Sequence, residues 1–381
     1  MRGWSIQDTA KNLNPNPTKK KMTTFKSPFA PSTSNPGEGS IELELVAPNT
    51  QVLRTFAYQY PLKLIAPDPH SILIDGSEST ASHGDDSSSA SSSESTTPAP
   101  SSVSLAGASP STRAVTQVFV LSYGGGLVSG DAVHLTVRLA AHTRLILSTQ
   151  GSTKVFKARG RGVVTRQGLD GKIGAGAALC YLPEPCCPFE ASVFEQRQRF
   201  WVEGGASLLL LDWVSEGRRA RGERWGMCSW RGWNEVRALD GGGDSERRLL
   251  LRDAVWLSNQ DGGEGGLGVK MDGMGVFGTL IVYGPLYERM QTWWMDRFRG
   301  LERIGGRNWG GDEKGKGAVG EREGEGEGEG VVWTAARSRG FVLVKFGATE
   351  VDAARRWLGS MLKKEGTVER EFGHQGLICL R

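Results

Sequence analysis

Cysteine and histidine are scarce in this chain of 381 residues, with only five of each. An odd number of cysteines without paired spacing excludes a secreted disulfide framework and points to a reducing compartment. A structural zinc site is built from C-x2-4-C pairs, whereas Cys186 and Cys187 are adjacent and bracketed by Pro185 and Pro188. Neighbouring side chains of an extended chain point to opposite faces, so this pair reads as packing. A cysteine nucleophile needs a histidine base, and the spacing of His70, His83, His134, His142 and His374 promises none. His134 and His142 flank one turn; a strand-surface histidine and a turn histidine are a simpler reading than a joint nickel site.

Long apolar runs are missing as well, since none approaches the ~18 residues of a membrane-spanning helix. Charge of one sign is also lacking. Lys and Arg number 46 against 42 Asp and Glu, a net +4, too diffuse to gather nucleic acid or an anionic membrane. Protein partners are expected instead. No apolar stretch of a secretory signal follows Lys19, Lys20 and Lys21, and Asp8 with few arginines argues against a mitochondrial presequence. A cytoplasmic location is the expectation.

Three segments lack the apolar content to offset chain entropy. Residues 1–40 carry Asn-Pro, Ser-Pro and Pro-Gly turns and predict a disordered leader, within which Met22 is an alternative start. Segment 77–111 is serine-rich linker composition, and segment 305–330 ends in a Glu-Gly alternation. A single domain over 41–381, interrupted by these two low-complexity insertions, is therefore predicted.

The remainder reads mainly as strands. Val133, Leu135, Val137 and Leu139 alternate with polar or small residues, placing one apolar face on a strand. Short turns of small or polar residues join apolar runs after Leu139, Ile173 and Val202, at intervals of roughly 30 residues, which is a repeat-like period. Stacked β-hairpin layers, each covering the apolar face of the last, account for this; three ordinary hairpins in a sandwich remain open. Two C-terminal helices follow. Pro285 opens the first, with Leu286, Met290, Trp293, Trp294, Phe298 and Leu301 at helical spacing. Thr349 and Asp352 form a capping-box pattern for the second, whose stripe is Val351, Ala354, Leu358, Met361 and Leu362. The fold class expected is thus mainly β, a solenoid-like body of stacked antiparallel or mixed strands with two C-terminal α-helices.

The glycines of 124–130 invite comparison with a phosphate-binding loop, but no Gly-Lys-Ser/Thr follows and the next residues form a strand. The same stretch reads GGLVSGD at 125–131 and is followed by TQGSTKVFK at 149–157. A second block reads YLPEPCCPF at 181–189, and a third reads LDWVSEGR at 211–218 with ARGERW at 220–225. In this order the blocks resemble the UreD (UreH) urease accessory proteins.

That resemblance implies a non-enzyme that binds the urease apoprotein, bridges it to UreF-like and UreG-like partners and assists nickel delivery. No permanently bound cofactor is implied, only transient nickel. Asp131, Glu184 and Glu223 fall inside matched blocks and are the candidate carboxylates of a nickel path. Lys154, Arg218 and Arg219 are candidates for partner carboxylates or for solvated strand ends, and Trp293 and Trp294 for a partner surface. Two other readings stay open: a carbohydrate-active β-solenoid enzyme pairing Glu184 with Asp212 or Glu223, and a general scaffold without a metal role.

Overall fold

The computed structural model describes residues 35–46, 50–74, 111–160, 162–239, 248–259, 266–301 and 330–381. The two expected insertions and most of the expected leader lie outside the described residues. Pro36–Arg381 forms one compact unit.

The chain opens with β1 (Glu38–Val46), β2 (Thr50–Tyr58), β3 (Leu62–Ile65), β4 (His70–Ile74) and β5 (Ser111–Ser122). It continues with β6 (Ala132–Leu139), β7 (Arg144–Thr149), β8 (Thr153–Val155), β9 (Thr165–Ile173), β10 (Ala178–Tyr181) and β11 (Cys186–Pro188). Then come β12 (Val193–Val202), β13 (Ser207–Ser215), β14 (Ser229–Ala238), β15 (Leu249–Ser258), α1 (Gly266–Lys270) and β16 (Val276–Tyr283). The last elements are α2 (Glu288–Arg299), β17 (Val331–Ser338), β18 (Phe341–Ala348), α3 (Val351–Glu365) and α4 (Thr367–Phe372).

These strands form two sheets. The first, of seven strands, has the order β15-β14-β12-β9-β6-β1-β2; the second follows β17-β18-β16-β13-β10-β7-β5-β3, with β4, β8 and β11 joined beside that path. The expectation of a mainly β protein holds, but no sheet forms the expected solenoid-like body, which is instead a pair of mixed sheets. The layers are not hairpins. Each recurring turn carries the chain from one sheet to the other, because β6 pairs in parallel with β9 while β7 pairs in parallel with β10. A short turn of small residues serves an arch between sheets as well as a hairpin within one, so the turn alone does not fix the partner.

Why the strands stack this way follows from their apolar faces. Ile41, Leu135, Leu169 and Phe194 of the first sheet meet Leu147, Leu179, Leu208 and Leu210 of the second in one buried cluster. All nine residues of β13 are buried, as expected of a near-continuous apolar strand covered on both faces. Its other face, Leu209, Leu211 and Trp213, packs with Trp294, Leu358 and Phe372 from the helices. The result is three layers: sheet, sheet, helices.

Both predicted helices are present, and Pro285 does open the first, in a turn Pro285–Tyr287 ahead of α2. The capping box is not formed. Glu350 is the N-cap of α3 and makes no side-chain cap bond, while Asp352 pairs with Arg355 at 2.6 Å. The backbone of Thr349 is held elsewhere, its N–H donating to the carbonyl of Gly330. Trp294 is fully buried, with ring centroids 5.3, 5.5 and 5.8 Å from Trp293, Trp333 and Trp357. Its place among the partner-surface candidates is therefore corrected: Trp294 is core, whereas Trp293 stays half-buried.

Candidate functional site

The three sequence blocks come together at one end of the second sheet. Lys154 of β8 pairs with Cys187 of β11, Cys186 pairs with Val214 of β13, and Leu127 bridges Val155. Gly126 is required at this crossing, since a Cβ there would lie 2.8 Å from the carbonyl oxygen of Lys154. Cys186 is buried and Cys187 partly exposed, so the pair does face opposite ways. Burial pushes both thiols up from the usual cysteine range, which removes thiolate character.

Each candidate carboxylate here already has a partner from this chain. Asp131 accepts the N–H of Val128 at 2.9 Å and so closes its own turn. Glu184 pairs with Arg355 of α3 at 2.7 Å. Glu223, 8% exposed, accepts from Nε of Arg218 at 2.9 Å and from the backbone N–H groups of Arg218 and Glu190 at 3.1 and 3.4 Å. The Arg218 hydrogen bond holds this carboxyl below the usual range against the opposing effect of burial. Arg218 also lies over the ring of Phe189 at 4.0 Å.

Lys154 is exposed. Arg219 is exposed too, and reaches the carbonyl of Thr349 at 3.1 Å and Glu350 at 3.5 Å, tying the loop to the start of α3. Buried Glu216 gathers Arg224 at 2.9 Å and Arg219 at 3.7 Å. Among the described residues no group of three or more His, Cys, Asp or Glu side chains is placed to hold a metal ion. Nor do His134 and His142 converge: the first lies near the start of β6 beside Asp170 at 3.4 Å, and the second sits in a left-handed turn beyond its far end.

A different polar constellation lies between the sheets. Gln198, Asn234 and Asp253 are in register across β12, β14 and β15, and Asp212, Thr279 and Lys345 are in register across β13, β16 and β18. The two rows are joined. Asn234 Nδ2 donates to Asp212 Oδ2 at 2.7 Å, Gln196 Nε2 donates to Asp212 Oδ1 at 2.8 Å, and Lys345 Nζ reaches Asp253 Oδ1 at 2.6 Å and Thr279 at 3.1 Å. Gln198 Oε1, Asn234 Oδ1 and Asp253 Oδ2 make no hydrogen bond to protein. Burial raises the carboxyl of Asp212 above the usual range, opposed by its two amide donors. A cavity of about 120 Å³, lined among others by Leu127, Thr149, Gln167 and Tyr181, opens elsewhere in the same inter-sheet space behind the glycine loop.

Sequence reasoning named Asp212 only as a possible partner of Glu184 in a glycan-cleaving pair and passed over the rest of this seam. The signal was one carboxylate inside the run of leucines and Trp213 in β13: Leu208, Leu210 and Val214 share its inward face, so the alternation places Asp212 there too.

Taken together, these features define a β-sheet platform whose loops are braced by internal ion pairs. Residues 80–375 match the family described as UreD urease accessory protein, and the chain belongs to that family. It is 42% identical to urease accessory protein UreD of Anaeromyxobacter sp. over 164 residues, 43% of this chain and 52% of that protein. It is 29% identical to an uncharacterized urease accessory protein ureD-like of Schizosaccharomyces pombe over 245 residues, 63% of this chain and 79% of that protein. Against urease accessory protein D of Arabidopsis thaliana the identity is 34% over 129 residues, 34% of this chain and 44% of that protein. The chain thus spans about half the length of several of the relatives it matches. Among the described residues no helix is long and apolar enough to cross a membrane.

Proposed function

We propose that this chain matures urease: it binds the urease apoprotein, bridges it to UreF- and UreG-type partners and assists the passage of nickel to the urease active site. Membership of the UreD family supports the maturation role. The observation that carries the nickel part is the pair of facing polar rows centred on Asp212. Oxygen donors of amides and carboxylates suit a cargo that must be released, because a closed set of soft ligands would retain it.

Nickel is cargo on this reading, held transiently, and the chain acts as an accessory protein rather than as an enzyme. Asp131, Glu184 and Glu223 shape the loops, and a direct nickel contact at any of them requires its present partner to let go. Lys154, Arg218, Arg219 and Trp293 remain the proposed partner contacts at the block-bearing end and on α2. A cytosolic location suits five unpaired cysteines.

The test is co-expression of a urease with its UreF- and UreG-type proteins, with and without this chain, scoring nickel content and urease activity. Nickel loading that depends on the chain and falls with Asp212→Asn, while the assembled complex persists, supports both parts. Full loading without the chain removes the maturation role. Full loading with Asp212→Asn removes the interior route and leaves a scaffold.

A further inference from the structure

The space between the sheets is filled in transverse layers. One holds Phe200, Val236 and Leu251, in register across β12, β14 and β15, and Leu210, Ile281 and Leu343, in register across β13, β16 and β18. It is wholly apolar. Two residues along every one of those strands the layer turns polar, with Gln198, Asn234 and Asp253 facing Asp212, Thr279 and Lys345. This polar layer runs out to the side of the sandwich, because β15 ends the first sheet and beyond Lys345 comes only exposed Thr334 of β17, which ends the second. Lys345 stands on that side, its side chain 35% exposed against 10% for Asp253.

Acceptors outnumber donors in the layer. Both oxygens of Asp212 are held by Gln196 and Asn234, and one oxygen of Asp253 by Lys345. Gln198 Oε1, Asn234 Oδ1 and Asp253 Oδ2 make no hydrogen bond, although their residues are only 4, 1 and 9% exposed. Three buried acceptors beside two carboxylates call for positive charge, since burial without compensation is costly for each of them. Lys345 Nζ supplies part of it. A lysine ammonium is a compact charge on a flexible stem with three donors, and here it lies 2.6 Å from Asp253 Oδ1 and 3.1 Å from Thr279 Oγ1. A small cation that prefers oxygen ligands competes for the same atoms.

We infer that Lys345 is a displaceable internal cation that closes this layer, and that a divalent ion enters or leaves by exchanging with its ammonium on Asp253. The inference deepens the proposed nickel role, rests on it, and names the residue that regulates the passage. Exchange of this kind explains how a buried site could release its cargo. A buried carboxylate stripped of its partner is strongly disfavoured, whereas the returning ammonium leaves Asp253 paired at every stage. The stem of Lys345 carries its charge toward solvent and back without any strand having to move.

The experiment measures Ni2+ binding by the full, tag-free chain in equilibrium dialysis. Lys345→Met should bind about tenfold more tightly than wild type, as when a competing state that fills the site nine-tenths of the time is removed. Adding Asp253→Asn should abolish that gain. Lys363→Met removes the same charge from an exposed position on α3 and should give no gain. Lys345→Met leaves Asp253 unpaired and should melt below wild type; Ni2+ should restore the loss, as Asp253→Asn does without metal. A second arm needs no substitution: acetic anhydride labelling of wild type, read by mass spectrometry, should show Ni2+ raising the reactivity of Lys345 relative to Lys363.

Equal affinity in wild type and Lys345→Met, a gain that survives Asp253→Asn, failure of either protein to bind Ni2+, or labelling of Lys345 unchanged at an Ni2+ concentration that loads the chain would each overturn the inference. These readings are made on the chain alone, so they fail separately from the maturation role. Nickel loading of urease that depends on the chain, without the Lys345 effects, keeps that role and removes the exchange. The Lys345 effects in a chain that urease does not need leave a cation site and remove the maturation role.

Discussion

Glu184 and Arg355, 171 residues apart, form an ion pair of 2.7 Å that fastens the proline-rich block after β10 to α3. Their side chains are only 16% and 22% exposed, so solvent screens the pair less than a surface bridge. In a double-mutant cycle of Glu184→Gln and Arg355→Ala, we expect each single change to destabilise the fold. The coupling should be about 1 kcal/mol, read by urea unfolding. Strict additivity would refute the view that Glu184 is first a structural carboxylate.

Glu223 makes a pH-dependent contribution of definite sign. Its folded carboxyl is held low by Arg218, so the stability it supplies is complete above the unfolded value of about 4.3. It is lost as pH falls through the lowered folded value. Glu223→Gln should therefore cost about 1–3 kcal/mol at neutral pH, and the gap to wild type should close in acid below about pH 4. Denaturant melts at stepped pH test this; a gap that widens in acid would contradict the assignment.

Asp212 behaves the opposite way. Its folded carboxyl is raised by burial. As pH climbs above the unfolded value of about 3.9, the unfolded chain ionises first and wild-type stability declines until the folded group ionises too. Asp212→Asn removes that decline, and an amide turn of Asn234, whose Oδ1 makes no hydrogen bond, supplies an acceptor for the new donor. We expect the variant to equal or exceed wild type in stability at neutral pH and to show a flatter pH profile. A large loss at neutral pH would mean that the buried charge itself holds the two sheets together.

Much of this architecture is legible in the sequence where a short local run suffices to decide it. The alternation from Val133 to Leu139 marks β6 and its inward face, and the run from Leu208 to Val214 marks a strand covered on both sides. What the residues do not encode locally is the partner of each strand. The turn after Leu139 serves an arch or a hairpin equally, and only the parallel register of β6 with β9, some 30 residues away, separates the two. The candidate site shows the same division. Asp131 is visible as a turn residue, yet the ion pairs of Glu184 and Glu223 and the seam around Asp212 depend on contacts between distant elements. Trp293 and Trp294 illustrate it most sharply, because adjacent helical positions of one residue type meet different environments.

Those two tryptophans give a prediction that separates packing from contact. Trp294 is fully buried among Trp333, Trp357 and Trp293, so Trp294→Ala leaves a cavity and should cost about 3–5 kcal/mol. Trp293 lies half in solvent with Arg297 over its ring at 5.2 Å, so truncation there should cost about 1–2 kcal/mol. If α2 contacts a partner, Trp293→Ala should weaken capture of the UreF-type protein by more than its stability loss explains. That capture is measured at a temperature where both forms are folded. Trp294→Ala, refolded at low temperature, should bind in proportion to its folded fraction. Equal capture by Trp293→Ala and wild type would confine both rings to the packing of α2 on the second sheet, and would move the partner surface away from this helix.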